Sequence, residues 1–289
     1  MKDLGRRLIV SLISITLVAG LLFFAYNSWV QYLVASVVAL LAGIASWEYA
    51  QFAKAKGGRM ILPALILLSF FEAISFFAAA RIPSLETLPI LVFFVGFLVL
   101  FALRFGEKDG AVVDLAVSSF GLLYIAVPIG MMLGIVYLGG VSKGTIDGRW
   151  WVVYLLGVTK ITDIGAYFAG SLWGRRKLAP RISPGKTVEG ALFGLVCALL
   201  ASFGFSWLSQ SFGTPGFQLG TSESICLGLV LGIVGQFGDL SESLLKRDAN
   251  KKDSNALPGL GGVLDAVDSL LFNAPILYIY LHFFKPLVS

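Results

Sequence analysis

Charged side chains are scarce in this sequence. Lysine, arginine, aspartate and glutamate account for 13% of its 289 residues, whereas hydrophobic residues account for 57%. Soluble globular domains contain about 25% charged residues, so this chain has too few polar side chains to cover a folded surface in water. The composition excludes an ordinary soluble enzyme, a disordered chain and a nucleic-acid-binding module. It indicates a polytopic membrane protein, whose surface is covered mostly by lipid.

Other features are rare or missing as well. The two cysteines, Cys197 and Cys226, both lie in apolar runs, so we expect no disulfide scaffold. The polar–apolar alternation of outer-membrane barrel strands is missing, so we expect an all-α helical bundle. No small-residue cleavage site follows the first apolar run, which we therefore interpret as a retained signal anchor. Because the chain has neither an internal repeat nor a Pro-rich linker, we expect one continuous membrane domain.

Long apolar runs are what the sequence has in abundance, and a transmembrane helix needs about 20 such residues. Nine runs qualify, at residues 8–26, 29–47, 61–80, 86–103, 112–139, 150–171, 188–210, 224–241 and 267–284. Residues 1–150 hold five spans with short, plain loops. Residues 151–289 hold four spans and almost all the polar residues of interest, including two long basic loops at 172–187 and 243–264.

The basic residues predict how the spans are oriented. With a cytoplasmic N-terminus, 17 of the 22 lysines and arginines fall in cytoplasmic segments and four fall outside, while Lys160 lies within a span. This asymmetry is what the positive-inside rule expects of a multi-pass protein in a bacterial-type inner membrane. The net charge of +5 is therefore explained by topology and needs no nucleic acid. Whether the chain forms a homodimer stays open.

Acidic residues inside or beside the spans are the first functional signal. A charge at the centre of a membrane helix costs about 2.5–3.5 kcal/mol, so such residues usually face a bundle interior or a wet cavity. Five acids of this kind lie toward the cytoplasmic side of the last four spans: Asp163, Asp239, Glu242, Asp265 and Asp268. For Glu48 and Glu72, in the first half, we favour the simpler interpretation of interfacial acids satisfied by water or lysine.

The spacing of these acids indicates a cation. Asp265 and Asp268 are three residues apart, as are Asp239 and Glu242, so each pair shares one helix face. Like charges on one face repel unless they share a cation, and Mg²⁺ prefers carboxylate oxygens, water and phosphate. Two alternatives remain open. Glu242 can pair with Lys246 one turn later, and Asp163 can form a buried ion pair with Lys160.

The basic loop at 172–187 can be interpreted in two ways. Arg175 and Arg176 either mark the cytoplasmic side of the membrane or hold a lipid phosphate at the leaflet surface. Ser183–Thr187 ends in Gly-Lys-Thr, but a Walker A motif needs glycine where Pro180 stands and a strand before it, so we reject that interpretation. We expect instead a loop feeding a helix start, where backbone N–H groups favour a phosphate.

The segment at 243–269 combines cations, glycines and acids in that order. Lys246, Arg247 and Lys252 precede Asp253, and a Pro-Gly-x-Gly-Gly turn then leads to Asp265 and Asp268. Glycines let the backbone approach a ligand closely. Cations that hold phosphate oxygens and carboxylates that hold a metal together suit a metal–triphosphate.

This segment resembles the signature of phosphatidate cytidylyltransferases, also called CDP-diacylglycerol synthases. The matching positions are Ser243, Lys246, Arg247, Lys252, Asp253, Pro258, Gly259, Gly261, Gly262, Asp265 and Asp268. The upstream pieces at 163–167, 183–190 and 238–239 are similar to that family as well, and so is the nine-span architecture. The resemblance covers the C-terminal half by motif and the N-terminal half only by its pattern of spans.

The resemblance implies an enzyme that makes CDP-diacylglycerol and pyrophosphate from CTP and phosphatidate at the cytoplasmic face. It implies Mg²⁺, with room for a second cation, on the carboxylates of Asp239, Asp265, Asp268 and Asp163. The catalytic cations and acid are then Lys246, Arg247, Lys252 and Asp253. Substrate-binding residues are Lys186, Arg175, Arg176, Ser183, Gly259, Gly261 and Gly262. The alternatives are an ion-coupled secondary transporter and a catalytically impaired membrane homologue.

The sequence departs from the family pattern at three points. Leu260 stands where the family has histidine, Ala266 stands where it has arginine, and the spacer between Asp253 and Pro258 is one residue short. The presumed metal carboxylates and the Lys-Arg pair are intact. We therefore interpret the chain as a natural, working subgroup whose loop is rearranged.

Overall fold

The chain forms ten α-helices and one small β-hairpin in the computed structural model, which describes residues 2–107, 109–138, 146–251 and 262–285. The helices are α1 (Lys2–Phe23), α2 (Val30–Ala55), α3 (Leu62–Arg81), α4 (Leu88–Ala102), α5 (Ala111–Gly121), α6 (Val127–Tyr137), α7 (Gly148–Trp173), α8 (Val188–Phe212), α9 (Thr221–Asp248) and α10 (Val263–Phe284). A 3₁₀ turn, Pro83–Leu85, precedes α4, and a π-helical turn, Leu122–Ala126, joins α5 to α6.

The helices confirm the prediction of an all-α, multi-pass membrane protein. Among the residues described, eight helical segments are long and apolar enough to cross a membrane, close to the nine expected. The π-helical turn lets α5 and α6 run on as one crossing, Ala111–Tyr137. The remaining expected span falls on α1, whose segment Leu12–Phe23 is a shorter apolar helix.

A two-stranded antiparallel sheet lies between α7 and α8, where the sequence predicts only a loop. Strand β1 (Lys177–Ala179) pairs with β2 (Ser183–Thr187), with Lys177 opposite Thr187 and Ala179 opposite Ser183. Proline and glycine are depleted in strands, and β2 contains both, so local propensity gives no strand signal. The expected lead into a helix is present, because β2 runs directly into α8.

The chain folds as two compact units. Unit 1 consists of Met1–Tyr137 and Asp248–Val267, and unit 2 of Leu138–Arg247 and Asp268–Ser289. The membrane segments therefore divide near Tyr137, and a short later segment returns to the N-terminal unit. This return places the start of α10 in unit 1.

In unit 1, α2 packs against α3, and its alanines Ala35, Ala39, Ala42 and Ala45 are buried and admit close neighbours. Two acids in this unit differ from the expectation of interfacial residues satisfied by water or lysine. Glu48 is 1% exposed and accepts hydrogen bonds from backbone N–H groups at the start of α10. Glu72, on α3, is buried as well.

Unit 2 depends on close helix approach. A Cβ on Gly190 of α8 would lie 2.6 Å from the carbonyl oxygen of Ala166 on α7. A Cβ on Gly238 of α9 would lie 2.8 Å from the carbonyl oxygen of Asp268 on α10. Small residues let membrane helices pack at short distance, and here they allow α8 to approach α7 and α10 to approach α9.

We expect Gly190→Ala to destabilise unit 2, because its methyl group would overlap backbone atoms of α7 that cannot move independently. Overpacking of this kind costs about 1–3 kcal/mol, and we expect a lower melting temperature in detergent. Gly204→Ala on the same helix is the matched control, since nothing lies within 4 Å of its Cβ position. Equal melting temperatures for the two variants would contradict the close approach of α7 and α8.

Candidate active site

A polar cavity lies in unit 2, walled by α7, the hairpin, the start of α8 and α9. Its volume is about 320 Å³. The polar side chains in its wall are Asp163, Tyr167, Ser171, Ser183, Lys186, Thr187, Gln236 and Asp239. The hairpin contributes Ser183 and Lys186, so the element that sequence reasoning missed forms one side of the cavity.

The charges in this cavity form a linked cluster. The Lys186 Nζ atom lies 2.5 Å from Asp239 Oδ2, and the Lys160 Nζ atom lies 3.8 Å from Asp163 Oδ2. The Asp163 carboxylate is also within electrostatic range of Asp239 and Lys186. Asp163 thus lines the cavity and pairs with Lys160, but this ion pair is partly exposed and not the buried pair that the spacing left open.

Asp268 extends the cluster onto α10. Its side chain is largely buried, accepts a hydrogen bond from the Ser269 N–H at 2.6 Å, and interacts electrostatically with Asp163, Asp239 and Lys160. The absence of a side chain at Gly238 allows α9 to approach α10 at this level. Three of the four predicted metal carboxylates therefore lie together in unit 2. The fourth, Asp265, lies in the first turn of α10 and belongs to unit 1.

The donor set of this cluster is chemically suited to Mg²⁺. Three carboxylates supply hard oxygen ligands and carry more negative charge than the two lysines neutralise. In the described ranges, no group of three acidic, histidine or cysteine side chains is already gathered tightly enough to hold an ion. Instead, Lys186 forms an ion pair with Asp239, and Lys160 forms one with Asp163, so lysines neutralise these two carboxylates.

The two sides of the hairpin are fixed by main-chain contacts. Glu189, in the first turn of α8, accepts hydrogen bonds from the backbone N–H groups of Arg175 and Arg176 at 3.0 and 3.2 Å. Both arginine side chains are left exposed. At the turn between β1 and β2, Arg247 Nε donates a hydrogen bond to the carbonyl oxygen of Ile182 at 3.1 Å. This contact connects α9 to the hairpin.

The start of α8 differs from the predicted phosphate site. The Gly190 N–H donates to Thr187 Oγ1 at 3.1 Å, and the Val188 N–H donates to the Arg176 carbonyl at 2.9 Å. These donors are occupied within the protein, because Thr187 caps the helix and β1 approaches it. These two donors are therefore not available to a phosphate in this structure, and the predicted site at this helix start stays a prediction.

Of the predicted catalytic residues, Lys246 contacts Glu242 one turn earlier, the alternative that the spacing left open. Glu242 is completely buried, so its charge requires a partner. Five residues of the signature lie outside the described residues, as does Leu260: Lys252, Asp253, Pro258, Gly259 and Gly261. Gly262 directly precedes α10, and its carbonyl accepts the Ala266 N–H at 3.2 Å.

Sequence reasoning did not single out Tyr167 or Gln236. Gln236 lies in the cavity wall, and its Nε2 donates to the carbonyl oxygens of Ala191 on α8 and Gly232 on α9. Burying a lone glutamine in an apolar span costs free energy. This cost could have marked Gln236 in the sequence as a functional residue. Tyr167 gave no comparable signal, since aromatic residues are common near membrane interfaces.

Comparison with known proteins adds an independent line of support. A family model described as "Cytidylyltransferase family" matches residues 5–284. A phosphatidate cytidylyltransferase of Chlamydia pneumoniae is 35% identical over 286 residues, covering 96% of this chain and 92% of the relative. A protein of the same name from Synechocystis is 33% identical over 308 residues, covering 98% of each. One from Bacillus subtilis is 45% identical over 139 residues, covering 48% of this chain and 49% of the relative.

These matches extend well beyond the C-terminal signature and include the helices of unit 1. They agree with the resemblance found in the sequence and with a multi-pass helical membrane protein bearing a polar cavity. The chain therefore belongs to the cytidylyltransferase family.

Proposed function

We propose that this protein transfers the cytidylyl group of CTP to phosphatidate, forming CDP-diacylglycerol and pyrophosphate. Full-length relatives named phosphatidate cytidylyltransferase support this choice of substrates. The observation that carries the proposal is the cavity in which Asp163, Asp239 and Lys186 converge. The family assignment favours a transferase over an ion-coupled transporter.

The chemistry requires that two anions meet. An oxygen of the lipid phosphate attacks the α-phosphorus of CTP, the bond from that phosphorus to the bridging oxygen of the β-phosphate breaks, and pyrophosphate leaves. The protein's contribution to such a reaction is positioning and charge neutralisation. Asp163, Asp239 and Asp268 would hold Mg²⁺, which when bound neutralises charge on the triphosphate. We propose Asp265 as a further metal ligand on the strength of its place in the family signature.

Lys186 has a further part in this proposal. Its ammonium group lies on Asp239 and is about one quarter exposed, so it can reach a phosphate that enters the cavity. Arg175 and Arg176 project from the hairpin entrance, and their exposed side chains suit a lipid headgroup. Because Glu189 and Arg247 fix the hairpin, these cations keep a constant position relative to the carboxylates.

We place the reaction at the cytoplasmic face of a bacterial-type inner membrane, with the N-terminus cytoplasmic. The support is the distribution of 17 of the 22 basic residues to one side of the spans. The cavity agrees with this orientation because its hairpin wall is part of the basic loop at 172–187.

Asp239→Asn and Asp268→Asn should each lower CTP turnover by about 100-fold or more, because both remove a carboxylate from the charge cluster. Turnover is measured in detergent with phosphatidate and Mg²⁺, and folding is checked by thermal melting. Glu223→Gln on α9 is the matched control. Glu223 also lies in an ion pair, with Lys285, but outside the cavity. Near-normal turnover in Asp239→Asn would rule out its role.

Lys186→Ala should raise the KM for phosphatidate by about tenfold, since a charge-assisted contact to the headgroup phosphate is lost. Lys285→Ala is the control, because the Lys285–Glu223 pair has nearly the same side-chain exposure as the Lys186–Asp239 pair. We expect the control to leave both KM values unchanged. A rise confined to the KM for CTP would assign Lys186 to the nucleotide instead.

The proposed orientation predicts the accessibility of two introduced cysteines on a background lacking Cys197 and Cys226. Lys177→Cys lies on exposed strand β1 and should be protected from an impermeant thiol reagent in intact cells. Ser211→Cys, exposed near the other end of α8, should be labelled rapidly. The reverse labelling pattern would show that the proposed orientation is wrong. Labelling in permeabilised cells is the control that both introduced thiols can react.

A further inference from the structure

Three residues spaced four apart lie at the C-terminal end of α2: Glu48 and Phe52 within the helix, and Lys56 directly after its last residue. Residues with this spacing lie on one face of a helix. All three contact residues of the later segment that completes unit 1. A helix from the plain N-terminal half is therefore joined to the part of the chain that carries the family signature.

Glu48 makes the strongest of these contacts. Its Oε1 accepts a hydrogen bond from the Val263 N–H at 2.9 Å, and its Oε2 accepts one from the Leu264 N–H at 2.7 Å. Both donors belong to the first turn of α10, where backbone N–H groups have no partner within the helix. A carboxylate is also favoured there by the helix dipole. Glu48 thus caps α10 through both of its oxygens.

The other two residues, Phe52 and Lys56, contact residues that precede position 252 in the sequence, whereas Glu48 contacts residues that follow position 261. The Lys56 Nζ lies 2.9 Å from Asp248 Oδ1, and the Lys251 Nζ lies over the Phe52 ring at 5.6 Å from its centroid. The Lys56–Asp248 pair is exposed and therefore weaker than the buried cap. Together the three bind the chain immediately before and immediately after the glycine-rich part of the signature.

A buried carboxylate from a distant part of the sequence is an unusual and energetically costly helix cap. Helix caps usually come from Ser, Thr, Asp or Asn next to the first turn, but Gly262 stands there and has no side chain. The chain instead uses a carboxylate 215 positions earlier, 1% exposed within a membrane span. Such a buried charge is tolerated only where its contacts are well satisfied. The position of the Glu48 carboxylate determines where α10 begins. Asp265 is the next residue after Leu264, so it lies in the capped first turn.

We propose that Glu48 is a positioning residue for the reaction: by capping α10 it fixes the first turn of that helix and with it the carboxylate of Asp265. This inference rests on the proposed function, which assigns Asp265 to the metal. It extends that function to α2, a helix for which neither the motifs nor the cavity gives a role.

The test compares Glu48→Gln with Glu72→Gln, the equivalent change in the other buried glutamate of unit 1. An amide offers one acceptor oxygen for two N–H donors. Exchange of the Val263 and Leu264 amides, measured without metal or substrate, should therefore accelerate by about tenfold or more in Glu48→Gln only. Glu48→Asp keeps the charge on a shorter side chain and should restore part of the protection.

Two further measurements separate positioning from simple stabilisation. Binding of Mn²⁺, followed by its electron paramagnetic resonance signal, should weaken by about tenfold in Glu48→Gln and stay unchanged in Glu72→Gln. The turnover number should fall by a similar factor, with a KM for CTP within about twofold of the parent value. Glu48→Asp should lie between the parent and Glu48→Gln in both measurements.

The outcomes are distinguishable. Unchanged amide exchange in Glu48→Gln would overturn the cap itself. Faster exchange with normal Mn²⁺ binding would make Glu48 a structural cap only and overturn its positioning role. A parent protein that binds Mn²⁺ but converts no CTP would contradict the proposed function alone, and Mn²⁺ binding and amide exchange would still decide the role of Glu48. A parent protein that binds no Mn²⁺ would overturn both proposals.

Discussion

A charged group inside a bilayer is stable only when protein partners replace the water that it has lost. This requirement explains most long-range polar contacts in the chain. Glu242 is neutralised by Lys246 on its own helix, Lys186 on the hairpin lies on Asp239 of α9, and Glu48 of α2 accepts hydrogen bonds from the start of α10. Each contact removes a solvation penalty, and the last two also join separate elements.

The same constraint distinguishes structural charges from those that can do chemistry. Arg104 and Asp114 form a buried pair at 3.0 Å in unit 1, and Asp114 also accepts the Arg59 N–H. Arg104 also pairs with Glu107, so both carboxylates of this group contact the same guanidinium group. The cluster in unit 2 combines Asp163, Asp239 and Asp268 with two lysines at a cavity. Its excess negative charge and access to solvent suit the binding of a cation that arrives with a phosphate.

Periodicity and hydropathy predicted the spans, because a membrane crossing is a local property of about 20 residues. The sequence also indicated Asp163, Asp239 and Asp268 through the cost of an acid in or beside a span, and Lys186 through its place in a basic loop. Their roles in the site stay predictions. The hairpin was missed because Pro184 and Gly185 oppose a strand locally, and its pairing is a tertiary contact. The partner of Glu48 was missed for a different reason: no local pattern connects an acid in the second helix to backbone N–H groups in the last.

The cap on α10 has a consequence for the biogenesis of the protein. Glu48 enters the membrane with α2, but its two backbone donors are synthesised about 215 residues later. Until α10 has left the ribosome and inserted, this carboxylate lacks the two hydrogen-bond donors that satisfy it in the folded unit. Unit 1 therefore completes its assembly only when one of the last helices arrives, and a ribosome that stalls before α10 leaves an incomplete unit with a polar defect that membrane quality-control proteases can recognise.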